Sequence, residues 1–329
     1  MRLERRRLVL LAACWWLLAS AGAGGAEEVA GDSQPPRFSV PAPQAGPLVL
    51  VVYGDTRFTQ RGEVVNAPAR RALVDRIAAE KPAAILIGGD LVYEGSAPVD
   101  YQTFRSETLA WSNQHIPVFP ALGNHELKGC EEEDLDECLG NWWSAFSELA
   151  LRPYRWYSVA IGANMLALVL DSDSALKPGS EQRTWFEQQM AGAGAGVKFV
   201  LILLHYPPVR DPLFPRMRDE QEVARYLSRH AKQLPQQVLV VGSHVHNYER
   251  YSRDGVAYIV SGGGGAKPVP APRMFGEQSH LRTGVNFHYL RLTLRADSLG
   301  VTMVRYDTDK ADPAAAWTEP DRLELRAKN

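Results

Sequence analysis

Six short apolar runs, each ending in glycine or a polar residue, constrain the fold more than any other feature: LVLVVYG (48–54), AAILIGG (83–89), MLALVLD (165–171), KFVLILLH (198–205), QVLVVG (237–242) and VAYIVSGG (256–263). They are too short for helices and rich in branched aliphatic residues, so they read as strands buried on both faces. Helical patterns lie between several of them. In APARRALVDRIAAEK (67–81), Leu73, Val74, Ile77 and Ala78 form one stripe; in SEQRTWFEQQMA (180–191), Ser180 is placed to cap the helix, with Trp185, Phe186 and Met190 on its buried side. DEQEVARYLSRHAK (219–232) carries Asp219 and Glu222 at capping-box spacing, and His230 at packing distance from Val223, Tyr226 and Leu227. FHYLRLTLRADSLGVTMVRY (287–306) alternates around ADSLG and reads as a hairpin closing a sheet edge. Strands alternating with helices predict an α/β class: a layered β-sandwich with helices outside.

The ends of the chain read differently. MRLERRR, then LVLLAACWWLLASA, then AGAGGA have the charge, apolar run and small residues of an export signal, so residues 1–26 are expected to be a signal peptide. This predicts a periplasmic or extracellular protein with no stable membrane span after cleavage. Lipid attachment through Cys14 is the alternative, because LAAC has a lipobox pattern. Residues 27–46, rich in proline and glycine, are expected to be an exposed lead-in, residues 47–306 the catalytic domain and residues 307–329 a tail of little periodicity. The remaining cysteines, Cys130 and Cys138, enclose EEEDLDE; in an oxidising compartment they read as a loop-closing disulfide. The six carboxylates between them read as a solvated face, with a calcium-type site as the alternative. A net charge of -2 gives no footprint for nucleic acid and fits a small-molecule substrate; oligomeric state is not legible.

Five apolar runs stop in metal-competent residues. They are Asp55 in YGDTR, Asp90 and Tyr93 in GGDLVY, Asn124 and His125 in ALGNHE, His205 in LLHYP, and His244 and His246 in GSHVHNYER. Strand ends of open α/β sheets are where ligand sites form, so these endings predict one constellation. A buried cluster of carboxylates and imidazoles with no cation would be costly to desolvate.

The arrangement resembles the calcineurin-like metallophosphoesterases, and within them the purple acid phosphatases, over Pro47 to about Tyr306. Most of the wider group opens with Gly-Asp-x-His; here that position is Arg57, and a tyrosine stands three residues after the second aspartate, at Tyr93, as in the purple acid phosphatase branch. The resemblance implies a four-layer α/β/β/α fold and two metal ions. Asp55, Tyr93 and His246 would hold the first, Asn124, His205 and His244 the second, and Asp90 would bridge them. Tyrosinate ligation implies iron(III) at the first site, and the mixed nitrogen and oxygen set implies zinc, manganese or iron(II) at the second. The implied activity is hydrolysis of phosphomonoesters by metal-activated water, with His125 as general acid and Arg57 and His280 as candidate substrate contacts. Two alternatives accompany it: a phosphodiesterase acting on cyclic nucleotides or lipid headgroups, and a binding module without turnover. The glycines at 262–265 are expected to permit close backbone approach or to cradle phosphate. Asn247 and Tyr248 are expected at the rim, with Glu249 and Arg250 holding the loop.

Overall fold

A computed structural model describes residues 34–131, 134–211, 214–215, 217–269, 287–312 and 314–328. The signal segment, Cys14 and His280 lie outside the described residues. The elements form one unit beginning at Pro35. In chain order they are β1 (Arg37–Val40), β2 (Leu48–Tyr53), α1 (Ala67–Glu80), β3 (Ala84–Ile87), α2 (Pro98–Glu107), α3 (Leu109–Asn113), β4 (Val118–Pro120), α4 (Asp136–Ala145), β5 (Tyr157–Ile161) and β6 (Met165–Val169). There follow α5 (Glu181–Gly192), β7 (Phe199–Leu203), α6 (Gln221–His230), β8 (Gln237–Gly242), β9 (Tyr248–Arg253), β10 (Val256–Ser261), β11 (Phe287–Leu294), β12 (Ser298–Tyr306) and β13 (Trp317–Arg326). Among the described residues, no helix is long and apolar enough to cross a membrane.

The strands form two mixed sheets, one ordered β1-β5-β6-β7-β8-β10-β9 and the other β13-β12-β11-β2-β3-β4. The continuous apolar runs have a simple cause in the period of two along a strand. In β7, Phe199, Leu201 and Leu203 enter the main core, which also holds Leu50, Val52 and Leu290 of the other sheet. The alternate residues Val200, Ile202 and Leu204 enter a second core with Trp185, Phe186 and Met190 of α5 and Val223, Tyr226 and Leu227 of α6. Both faces of β6, β7 and β8 are therefore buried, one by the opposite sheet and one by helices. The other sheet is covered in the same way: Tyr53 of β2 packs edge-on to Trp111 of α3, with ring centroids 6.3 Å apart. The layered α/β expectation holds.

Several local expectations hold as well. Ser180 caps α5, its side chain accepting from the Arg183 N–H. The β11–β12 hairpin forms in antiparallel register, and Cys130 is bonded to Cys138. His230 packs its ring against Tyr226, with centroids 4.3 Å apart.

Others are corrected. The lead-in is not wholly exposed: Arg37–Val40 forms an edge strand parallel to β5. The tail supplies β13, paired with β12 along most of its length. Neither had a strong pattern because an edge strand with a solvent face needs few apolar residues. The capping box at Asp219 does not form. The helix begins after Glu220, which makes no side-chain cap; the Glu220 carboxylate instead accepts from Arg210 Nη1 at 3.0 Å.

Candidate metal centre

Strands β2, β3 and β4 run parallel in one sheet, and β7 and β8 run parallel in the other. The loops leaving their C-terminal ends carry Asp55, Asp90, Asn124 and His125 from the first sheet and His205, His244 and His246 from the second. The turns that deliver these side chains are strained. Asp55, Arg57, Asp90, His244 and His246 have φ of 56°, 46°, 52°, 70° and 53°, in the left-handed region that L-residues avoid. Such conformations cost about 1 to 3 kcal/mol each and persist where the surroundings impose them. Glycine is required by close approach as well. A Cβ on Gly89 would lie 2.7 Å from His205 Nδ1, and one on Gly262 would lie 2.4 Å from Asp55 Oδ2. Of the two readings of the glycine run, the geometry at Gly262 gives the close-approach role.

The side chains converge in two overlapping groups, Asp90 with His205 and His244, and Asp55 with Asp90 and His246, with ligand atoms within 4.8 Å of one another in each. Asp90 belongs to both. In the first group His205 Nδ1 donates to the Gly88 carbonyl at 2.9 Å, which places the lone pair on Nε2. That Nε2 lies 3.2 Å from Asn124 Oδ1, 3.2 Å from His244 Nδ1 and 3.2 Å from Asp90 Oδ1. In the second group His246 Nδ1 donates to the Lys267 carbonyl at 3.0 Å. Its Nε2 then faces Asp55 Oδ1 at 3.5 Å, and neither of these buried atoms has a hydrogen-bond partner. Lone pairs facing one another without protons between them are what cation ligation requires.

The protonation preferences agree. Burial pushes His244 down to about 3 and His246 down to about 4, so both imidazoles are neutral and able to ligate. Burial, and the Asp90 carboxylate beside it, push Asp55 well above the usual carboxylate range. Asp90 is held below that range against its burial by His205, His125 and Arg57. Two carboxylates in one dry site call for positive charge, which two ions would supply. The donor set of buried carboxylates with a half-buried carboxamide and buried and half-buried imidazoles fits a dinuclear metal centre.

Tyr93 has partners of its own on the His125 side. Its ring lies under Lys128 Nζ, 3.5 Å from the centroid, and beside the His125 ring at 5.3 Å. The charges acting on its hydroxyl are the cations Lys128, Arg61 and Arg57, and Lys128 is the chief cause of its lowered pKa. Among the described residues the hydroxyl makes no hydrogen bond to Asp55 Oδ1 or His246 Nε2, which are both unpartnered. Arg57, by contrast, turns inward, its Nη2 3.3 Å from Asp90 Oδ2, while its buried Nε is unpartnered. His125 donates from Nδ1 to the Tyr93 carbonyl at 2.6 Å, and its Nε2 points toward Asp90 Oδ2 at 3.8 Å. Burial lowers its pKa.

Residues not singled out from sequence complete the site. Glu126, fully buried, accepts from the backbone N–H of Asp90 at 2.9 Å, of Gly123 at 2.7 Å and of Val92 at 3.2 Å. It thereby fastens the β3 and β4 loops together, and burial next to Asp90 raises its pKa to about 8. Its position directly after Asn124 and His125 was the available signal. Arg70 of α1 is also fully buried; it donates to the carbonyl of Arg57 at 2.8 Å and of Thr59 at 3.2 Å, and forks onto Glu107. On the other side the rim expectation fails for Asn247 and Tyr248, which are buried. Asn247 donates to Glu249 Oε1 at 2.9 Å, and the Tyr248 hydroxyl donates to Asp321 Oδ2 at 2.7 Å. Glu249 and Arg250 do hold the loop: Glu249 accepts from the Asp211 N–H at 2.8 Å, and Arg250 forks onto Asp321 of β13 at 2.8 and 3.2 Å.

Residues 48–248 match the family model described as calcineurin-like phosphoesterase. No curated protein sequence matches the chain. Among solved structures, a purple acid phosphatase from yellow lupin (Lupinus luteus) seeds superposes with a TM-score of 0.67 at 17% identity, over 87% of this chain. The match takes in 55% of the lupin protein, so this chain corresponds to about half of it. GAP50, described as the anchor in the inner membrane complex of Plasmodium, gives 0.56 at 16% identity, covering 87% of this chain and 90% of that one. A dimetal phosphatase from Danio rerio gives 0.54 at 13% identity, covering 86% of this chain and 100% of that one. At these identities the likeness is one of fold.

Proposed function

The chain belongs to the calcineurin-like phosphoesterase family, and from that premise we propose that it is an exported hydrolase of phosphomonoesters working through two metal ions. The observation that carries the reading is the pair of ligand groups sharing Asp90. Asp55, Asp90 and His246 would hold one ion, and Asp90, Asn124, His205 and His244 the other. Such a pair supplies Lewis-acid activation of water and neutralises phosphate oxygens.

The remaining residues divide the work by position. Arg57 reaches the centre with an unpartnered N–H and is placed to take a phosphate oxygen. His125, locked by the Tyr93 carbonyl so that Nε2 faces the centre, is placed, as the imidazolium with a proton on Nε2, to give that proton to the leaving oxygen. Glu126 keeps Asp90 and the Asn124 loop in register as a positioning residue.

The iron(III) part of the sequence expectation needs a Tyr93 phenolate in the first ligand group. The Asp55 and His246 atoms that face each other have no hydrogen bond to it or to any other group, and this supports divalent ions at both sites. Export is supported by the Cys130–Cys138 bond, which suits an oxidising compartment. The Plasmodium neighbour is described as an anchor, so fold alone leaves a binding module open; the assembled ligand set favours turnover.

The test is hydrolysis of phenyl phosphate and of bis(phenyl) phosphate by protein loaded with zinc or manganese. The monoester should be preferred, and Asp90→Asn should lower its turnover more than about 100-fold, beyond what loss of a supporting residue alone produces. Preference for the diester would replace the substrate assignment, and absence of turnover on both would remove the enzyme reading.

A further inference from the structure

On the His125 side the centre has a rim built from Tyr93, Lys128 and Arg61. Tyr93 follows Asp90 by three residues and Lys128 follows His125 by three, so each loop contributes one ligand or candidate acid and one rim residue. The loops are tied together by backbone: Gly95 N–H donates to the His125 carbonyl at 2.9 Å and Ser96 N–H to the Lys128 carbonyl at 3.2 Å. His125 Nδ1 adds its bond to the Tyr93 carbonyl at 2.6 Å. The rim is thus fixed relative to the residue that faces the leaving group.

Two of its three side chains, Lys128 and Arg61, are cations. Lys128 Nζ sits 3.5 Å from the Tyr93 ring centroid, and Arg61 Cζ lies 5.3 Å from it. Arg61 is paired with Glu94 at 3.0 Å and is half exposed. Among the described residues Lys128 has no carboxylate partner; the aromatic face holds its ammonium in place, which reduces the cost of ordering it for a ligand. The ring that carries this ammonium lies 5.3 Å from the His125 ring, so the cation stands beside the candidate acid.

We propose that Lys128, steadied by Tyr93 and assisted by Arg61, forms a second-anion subsite that selects phosphomonoesters whose leaving group carries a further carboxylate or phosphate. This rests on the phosphomonoesterase reading for its substrate and on the rim geometry for its selectivity. In this subsite Tyr93 supports a cation.

The test compares binding of benzylphosphonate with that of 3- and 4-carboxybenzylphosphonate to full-length, manganese-loaded protein by calorimetry. One carboxylated ligand should bind about tenfold tighter, the scale of one charge-assisted contact. Lys128→Met should bring that ratio down to about twofold, and Lys128→Arg should keep most of it, with circular dichroism showing that each variant folds; if Lys128→Met does not fold, Lys128→Gln takes its place. Equal affinities in the unaltered protein, or a ratio undiminished when Lys128→Met is combined with Arg61→Met, would overturn the subsite. Phenyl phosphate hydrolysis is measured on the same samples. Carboxylate selectivity without turnover keeps the subsite and removes the enzyme reading; turnover without selectivity does the reverse. Failure to bind any of the phosphonates overturns both.

Discussion

His246 Nε2 and Asp55 Oδ1 face each other across 3.5 Å, both buried and both without a hydrogen-bond partner. Left as they are, two such atoms cost desolvation free energy with nothing in return. A cation between them converts that cost into a binding site. Zinc or manganese should therefore raise the melting temperature and a chelator should lower it; at a hundredfold excess over Kd a single site contributes about 2.7 kcal/mol. A melting temperature indifferent to metal would count against the site.

Glu126 is predicted to matter for folding and for metal affinity together. Glu126→Ala leaves the N–H groups of Asp90, Val92 and Gly123 without their acceptor, a loss of about 3 kcal/mol or more in denaturant unfolding. Metal affinity should fall about 10- to 100-fold, because Asp90 loses the contact that orients it. Unchanged affinity would show that Glu126 braces the loops without setting the ligands.

Tyr93→Phe is expected to retain both ions, and protein reconstituted with iron is expected to lack a tyrosinate charge-transfer band. The reason is that Asp55 Oδ1 and His246 Nε2, which face each other, receive no hydrogen bond from the Tyr93 hydroxyl. A visible band that disappears in Tyr93→Phe would restore the phenolate as a ligand.

Asp321 connects the C-terminal strand to the loop that carries His244 and His246. It accepts from the Tyr248 hydroxyl at 2.7 Å and from Arg250 at 2.8 Å. Asp321→Ala removes the acceptor from a mostly buried ion pair and should cost about 3 kcal/mol of unfolding free energy. Loss of less than a tenth of this would mean that β13 holds its place through its ladder alone.

The strands buried on both faces were legible because their interiors are unbroken apolar runs, and the metal-competent residues were legible because each follows such a run. What escaped depends on partners distant in sequence. Arg70 looks like one more surface arginine of α1 until the Arg57 loop and Glu107 are folded onto it. Asp321 looks like a tail residue until β13 pairs with β12. β1 and β13, each at the edge of a different sheet, have too few apolar positions to announce themselves. Tyr93 shows a different limit: its spacing from Asp90 is read directly, whereas the ammonium over its ring comes from Lys128, 35 residues further on.

Counting bound metal tests the central claim most directly. Protein dialysed against zinc or manganese should hold two ions per chain. His244→Ala and His246→Ala, which strike different groups, should each hold one, and Asp90→Ala should weaken both, because Asp90 alone belongs to the two groups. A protein that takes up a single ion, or one in which Asp90→Ala leaves both ions bound as tightly as before, would contradict a centre bridged by Asp90.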